Sequence, residues 1–478
     1  MQNDKKITTR KEDFSLWYQD VIQAADLAEH SPVKGCMVIK PTGYAIWENI
    51  EKILDEKIKE YNVENTYFPL FIPENFINRE KEHVKGFAPE VAVVTHAGGK
   101  ELKEPLIVRP TSETIMYETF SKWISSYRDL PLLINQWANV VRWELRPRLF
   151  LRTVEFLWQE GHTVHQSEKE ADEFAKKMLN MYEDFAENYL AIPVIKGTKT
   201  EKEKFAGAEV TYTAEAMMQD GKALQTGTSH NLGQNFAKTF NIKYLDIDNK
   251  EKFAWQTSWG VSTRLIGALI MAHSDDSGLV LPPKIAPIQS VITCIYKNDD
   301  EKVKVVKYAE KIKNGLEKTG IRTKIDDRDI RFGEKLYYWE KKGVPVRVEV
   351  GPRDVDNGMI IYRRDDLTKK PYQKSVEVCV ETIGKLLNEI QNNLYNRALE
   401  FQKKNTVEVD TLDEFKKAIN DGKFVYAHWC GDTKVEEKIQ EEFGATIRCI
   451  SFDQKKEIGK CIYSGKESAG RVLFAKAY

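Results

Sequence analysis

Val140-Val141-Arg142-Trp143-Glu144 and Trp259-Gly260-Val261-Ser262-Thr263-Arg264-Leu265-Ile266 are the two stretches that decide how this chain is read. Each sets one arginine among apolar or small residues, where a solvated charge has no reason to sit. A guanidinium there needs an anion, and its planar fork suits carboxylate or phosphate oxygens. A single such arginine is most simply a structural ion pair. Two on one domain suggest a polyphosphate gripped at two points. The chain has no P-loop of the Walker type, and no Gly-x-Gly-x-x-Gly follows a strand. A nucleotide would therefore be held by arginines rather than by a glycine-rich loop.

At 478 residues the chain is too long for one core, and two to four domains are expected. Hydrophobic residues make up 41% and charged residues 30%, the balance of a soluble globular protein. No apolar run is long enough to span a bilayer, and the first residues lack a signal-peptide core, so no membrane role is expected. The cysteines (Cys36, Cys294, Cys379, Cys430, Cys449 and Cys461) are scattered, which suits a reducing cytoplasm better than a disulfide scaffold. Net charge is −1, so binding a nucleic acid would require a local basic face.

Hydrophobic periodicity divides the chain into three parts. Residues 1–285 begin with an amphipathic helix at 43–61 and a strand-like 65–73. Further strands are expected at 91–96, 106–109, 132–144, 153–164 and 222–228. Several have no crossover helix between them, which favours an antiparallel sheet. Ser167 and Glu170 form a capping box that starts a helix running to 190. A last helix at 262–273 is apolar on most faces, hence buried. Pro282, Pro283 and Pro287 mark a boundary. Residues 286–404 alternate strand and helix as a compact α/β domain. Residues 405–478 open with a Thr411/Glu414 capping box and carry strands at 424–429, 445–452 and 471–476.

Thr111-Ser112-Glu113 follows a strand and proline. Read alone it is a helix N-cap; read with the arginines it offers a carboxylate and a hydroxyl to a small ammonium. Gln225-Thr226-Gly227-Thr228-Ser229-His230 is a run of short polar groups broken by glycine. With Arg142 and Arg264 it reads as the lining of a pocket. Together these segments resemble the class II aminoacyl-tRNA synthetases, and within them the prolyl-tRNA synthetases of archaeal and eukaryotic type. Phe68-Pro69 and the preceding helix resemble motif 1, the dimer element. The run from Val141 through Glu144 to Arg152-Thr153-Val154-Glu155-Phe156 resembles motif 2. The run from Gly260 to Pro283 resembles motif 3. Thr111–Glu113, Trp158–His162 and Gln225–His230 resemble the proline-selecting elements.

The resemblance implies a class II antiparallel catalytic sheet with helices, an α/β anticodon-binding domain, and a small α/β C-terminal domain similar to the family's zinc-binding one. It implies a cytoplasmic homodimer that joins proline to tRNA(Pro) through an adenylate, using ATP with Mg²⁺. Arg142 would meet the α-phosphate and the substrate carboxylate. Arg152 and Arg264 would reach the outer phosphates, Glu144 would contact ATP, and Phe156 would face adenine. Gln225, Thr228 and Ser262 fall on nucleotide-contact positions. Glu113 and Thr111 can accept both N–H donors of the secondary ammonium. Phe87, Trp158 and His162 would wall in the ring, with Glu90 at its edge and Thr228 and His230 nearby. Lys335, Glu340, Lys342 and Arg347 are the implied tRNA contacts; read alone they are a solvated charged face.

A threonyl enzyme would need a catalytic zinc, and Cys36, the only cysteine before Cys294, lacks metal-ligand spacing. A tRNA-binding paralogue without activity would be expected to have lost Arg142, Arg264 or Glu113, and all three are present. The 162–259 span leaves no room for an editing insertion. Many relatives hold C-terminal zinc through four cysteines. Here the corresponding stretches are Cys430-Gly431-Asp432-Thr433-Lys434-Val435 and Cys461-Ile462-Tyr463-Ser464, so four ligands for zinc are not expected. The resemblance also places the terminal Tyr478 against the catalytic domain.

Overall fold

The computed structural model describes residues 6–79, 91–373 and 375–478. Its centre is an eleven-stranded sheet, antiparallel over the six strands that lie between residues 132 and 262. The strands Leu132–Val141, Glu155–His165, Trp255–Ser262, Ala223–Gly233, Val210–Met217 and Val194–Thr198 lie side by side in that order. The expected strand at 132–144 ends at Val141, and the one at 222–228 runs on to Gly233. The segment 65–73 is not one strand: Glu64–Asn65 and Phe71–Pro73 belong to different sheets, with Phe68 and Pro69 between them.

The helix Glu168–Asn188 covers one face of this sheet. Its buried stripe includes Phe174, Met178, Tyr182 and Phe185, and Tyr182 donates to Gln159 Oε1 at 2.6 Å. Ser167 caps it by accepting from Glu170 N. The Glu170 carboxylate, however, accepts from Gln166 N rather than from the cap residue itself, so only half of the expected box forms. The helix Arg264–His273 is buried on nearly every side, as its composition requires. Phe14–Ala24 and Pro41–Lys59 pack into the same core. The opposite face of the sheet stays open, and the site lies there.

A separate five-stranded sheet contains Ser290–Cys294 and Val346–Val350 paired in parallel. It is packed against Asp299–Lys318 and the long helix Val376–Lys404. The last region brings Phe424–His428, Thr446–Ser451 and Arg471–Ala475 together around buried Phe424, Ile447 and Leu473, with Tyr426, Phe443 and Ile450 partly buried. Thr411 and Glu414 form the expected reciprocal cap. These strands do not make a sheet of their own. Ile450 and Ser451 pair with Thr198 and Gly197, which continues the central sheet into the C-terminal region. Tyr478 packs beside that seam: its N–H donates to Ala223 O and its hydroxyl to Asp220 Oδ2 at 2.6 Å.

Candidate functional site

Strand register assembles the site. Side chains on one face of a sheet recur every second residue and sit opposite same-face partners. Trp158, Glu160 and His162 therefore share a face. Glu160 stands between Gln136 and Gly260, and His162 between Ile134 and Ser258. On the next strand Thr228 is opposite Gly260 and His230 opposite Ser258. The small residues Gly260 and Ser258 leave room between the larger rows. One further residue needs a device. Gln225 would alternate away from Thr228, but the ladder slips between Ala214 and Glu215, pairing Ala214 with Gly227 and Glu215 with Gln225. The extra residue, Thr226, turns Gln225 onto the open face.

The result is a cavity of about 470 Å³ whose lining includes Thr111, Glu113, Arg142, Glu144, Arg152, Phe156, Trp158, His162, Gln225, Thr228, His230, Ser262 and Arg264. Phe87 and Glu90 lie outside the described residues. One end is cationic. Arg142 is fixed by donating from Nε to Pro110 O at 2.9 Å, and its guanidinium lies 5.6 Å from the Phe156 ring and 5.3 Å from that of Trp158. Arg264 opens its helix and donates to Leu151 O at 3.4 Å. Burial, followed by the charges of Arg152 and Arg142, pushes its pKa down to about 10. Glu144 approaches Arg152 to 3.7 Å. Three guanidinium groups converging on one end of the cavity make a strong anion site.

The other end is a hydrogen-bonded acid–base cluster. Thr111 donates to Glu113, which opens the helix Glu113–Trp123. Ser112 is the cap residue by position, but its hydroxyl donates to Glu160 instead of capping. Glu160 also accepts from Gln136 at 2.9 Å and meets His162 Nε2 at 3.1 Å. Tyr117 holds His162 Nδ1 at 3.0 Å. Burial alone would lower the His162 pKa, but its bond to Glu160 and the nearby Glu113 charge outweigh it and raise the value. His230 is the opposite case: burial, then His162, drives it down to about 3, and Thr211 contacts its Nδ1 at 2.9 Å. Within the cavity lining, Trp158 Nε1 and Ser258 Oγ are buried with no hydrogen-bond partner among the described residues. Ser112, Gln136, Glu160 and Thr211 were not anticipated. Strand alternation from Trp158 and His162 would have reached Glu160.

Residues 94–273 match the model described as tRNA synthetase class II core domain (G, H, P, S and T). Residues 289–390 match the anticodon binding domain, and 412–478 the prolyl-tRNA synthetase C-terminal model. A proline–tRNA ligase of Phocaeicola vulgatus is 55% identical, covering 99% of both chains. One from Chlorobaculum tepidum is 56% identical, again with 99% of each covered. The chain belongs to the class II prolyl-tRNA synthetase family. The crystal structure of prolyl-tRNA synthetase from Cryptosporidium parvum, complexed with halofuginone and AMPPNP, superposes with a TM-score of 0.94 at 42% identity. It covers 98% of this chain and 96% of that one. Members of the family are ATP-dependent aminoacyl-tRNA ligases.

In the region that matches the anticodon-binding model, two of the four expected tRNA contacts are turned inward. Lys335 is buried and donates to Cys294 O at 2.9 Å. Lys342 reaches Thr42 Oγ1 at 2.9 Å and Ala25 O, bracing the N-terminal part of the chain. Arg347 pairs with Glu349 at 3.3 Å and lies over Tyr362, and Glu340 is half-buried. In the C-terminal region Ser464 contacts Cys430 Sγ at 3.5 Å, and Cys449 is buried in its strand. No cluster of three His, Cys, Asp or Glu side chains suited to a metal occurs among the described residues.

Proposed function

We propose that this protein activates proline with ATP to prolyl-adenylate and transfers it to the 3′ end of tRNA(Pro). The observation that carries this reading is one cavity with a triple-arginine end and a Thr111–Glu113 end joined by aromatic walls. A polyphosphate and a small zwitterion fit that division of charge. Arg142, the arginine of that end that also faces Trp158, takes the substrate carboxylate and the α-phosphate. As the carboxylate attacks, charge gathers on the phosphoryl oxygens, and fixed guanidinium groups stabilise it without reorganising. Arg152 and Arg264 hold the outer phosphates, so pyrophosphate leaves against cationic groups. Phe156 supplies the adenine platform, with Gln225, Thr228 and Ser262 as further nucleotide contacts. Glu144 is a further ATP contact, and Mg²⁺ would be held chiefly by the phosphates, where the ion would neutralise charge.

At the other end Glu113 and Thr111 accept the two ammonium N–H donors. Trp158 and His162 wall in the apolar ring, while Thr228 and His230 close the remaining side. Glu340 and Arg347 stand as tRNA contacts; the inward placement of Lys335 and Lys342 gives those two a bracing role. We assign the chain to the archaeal/eukaryotic type, supported by its match to the C-terminal prolyl model and by the Cryptosporidium likeness. The bacterial relatives match over 99% of both chains. Between His162 and Trp259 stand the helix Glu168–Asn188, the short helix Asn235–Thr239 and strand hairpins, which supports the absence of an editing insertion. A cytoplasmic homodimer without C-terminal zinc completes the proposal. The exposed Tyr67 and Trp123 near motif 1 suit a dimer face, and no helix among the described residues could cross a membrane.

The test is charging of a tRNA(Pro) transcript with labelled proline. Charging that requires ATP and is lost in Glu113→Ala is expected. Folded wild-type protein that charges no proline would overturn the assignment.

A further inference from the structure

Glu215 is a fully buried carboxylate in the middle of the catalytic sheet, and the mechanism above makes no use of it. Its Oε1 accepts from Lys199 at 2.7 Å and from Thr213 Oγ1 at 2.8 Å. Its Oε2 accepts two bonds from Arg448, at 3.0 and 2.9 Å. Arg448 comes from the C-terminal region, more than two hundred residues away in sequence. With two cations in contact, Glu215 is ionised and can only accept.

That fixes the direction of the next bond. A threonine hydroxyl has one proton, and Thr213 gives it to Glu215. Toward its other neighbour Thr213 can therefore only accept. That neighbour is Gln225, whose Nε2 lies 3.1 Å from Thr213 Oγ1. The Gln225 amide is thus oriented by chemistry: its nitrogen is held on Thr213, and its carbonyl Oε1 is left for the cavity that Gln225 lines.

We propose that Arg448, Glu215 and Thr213 form a positioning relay that presents Gln225 to the nucleotide as a fixed hydrogen-bond acceptor, making the C-terminal region part of the ATP site. The inference rests on the cavity being the ATP site. An acceptor at this point selects a hydroxyl or amino donor on the nucleotide. Arg448, Glu215 and Thr213 touch no substrate; they act through Gln225. The strand slip that turns Gln225 onto this face also sets Glu215 opposite it, so one backbone feature places both of these members of the relay.

The experiment is proline-dependent ATP–pyrophosphate exchange with wild type, Thr213→Val, Thr213→Ser, Arg448→Met and the Val/Met double variant, with thermal melts for each. ATP is compared with 2′-deoxyATP, 3′-deoxyATP and purine riboside triphosphate. Thr213→Val should raise KM for ATP on the order of 10-fold with KM for proline within about 2-fold, and Thr213→Ser should restore it. One analogue should be penalised in wild type but no longer distinguished in Thr213→Val. Arg448→Met should act in the same direction, and the double variant should be no worse than the more impaired single one. An unchanged KM for ATP in Thr213→Val would overturn the relay. So would equal losses for ATP and proline, or fully additive effects in the double variant. Folded wild type without any exchange would instead refute the adenylation reading on which the relay rests.

Discussion

The two regions that follow the catalytic part are attached to it in different ways. The part that matches the anticodon-binding model and runs on through the helix Val376–Lys404 keeps its own sheet and joins chiefly through side chains, with a backbone bond from Leu279 N to Lys341 O. Arg364 forks onto Asp275 with two 2.7 Å bonds, Gln391 donates to Asn188 O and Tyr189 O, and Arg397 donates to His273 O. The C-terminal region joins by its backbone. Its strand Thr446–Ser451 pairs with Val194–Thr198, Ala477 bridges to Ala223, and the Lys199–Glu215–Arg448 cluster seals the seam. Side-chain docking leaves a module its own core and a separable motion. A shared sheet makes two regions one cooperative unit and gives the added region a route to the site.

The comparison can be broken most sharply at Glu215. Glu215→Ala strands two buried cations, and a loss of about 3–5 kcal/mol is expected in denaturant unfolding. The catalytic and C-terminal parts should melt earlier together. Two separate transitions in wild type would mean that the sheet does not couple them. The same carboxylate predicts an acid response. Burial disfavours its charge, but Lys199 and Arg448 outweigh that and pull its pKa down from 4.5 to about 2. A depressed folded value means that its stabilisation is complete above 4.5 and fades as pH falls toward 2. Midpoints measured from pH 6 to 3 should drop more steeply in wild type than in Glu215→Ala, and parallel curves would count against the cluster.

A backbone seam is also intolerant of bulk. A Cβ on Gly197 would sit 2.3 Å from Ile450 O, so Gly197→Ala must push the strands apart. A loss of about 1–3 kcal/mol is expected, and unchanged stability would show that the seam yields freely. The docked module should respond least. Arg364→Met removes a buried guanidinium but leaves behind an Asp275 carboxylate that is 29% exposed and can be hydrated. Roughly 1 kcal/mol is expected, with proline-dependent exchange unchanged. A loss as large as that of Glu215→Ala would erase the distinction between the two attachments.

Much of this was legible in the chain. The two arginine stretches, Thr111–Glu113 and Gln225–His230 lie far apart in sequence yet line one cavity, because each carries charge or polarity that its local pattern does not explain. The buried helix at Arg264–His273 and the Thr411/Glu414 cap followed from periodicity and capping chemistry. Register was not legible. The slip that turns Gln225 depends on how two strands pair, and the join of Ile450 to Thr198 links segments some 250 residues apart. Lys335 and Lys342 read as surface charge because spacing alone does not show that a lysine ammonium will reach a buried carbonyl. Glu215 passed unnoticed for the same reason: its partners Lys199 and Arg448 meet it only after the C-terminal strand is added.

The most direct test of the central claim is proline-dependent ATP–pyrophosphate exchange by wild type, Arg142→Ala and Arg264→Ala, with folding checked by circular dichroism. Exchange that requires proline, falling on the order of 100-fold or more in Arg142→Ala and comparably in Arg264→Ala, is the predicted result. Folded variants that both retain activity within a few-fold of wild type would contradict it.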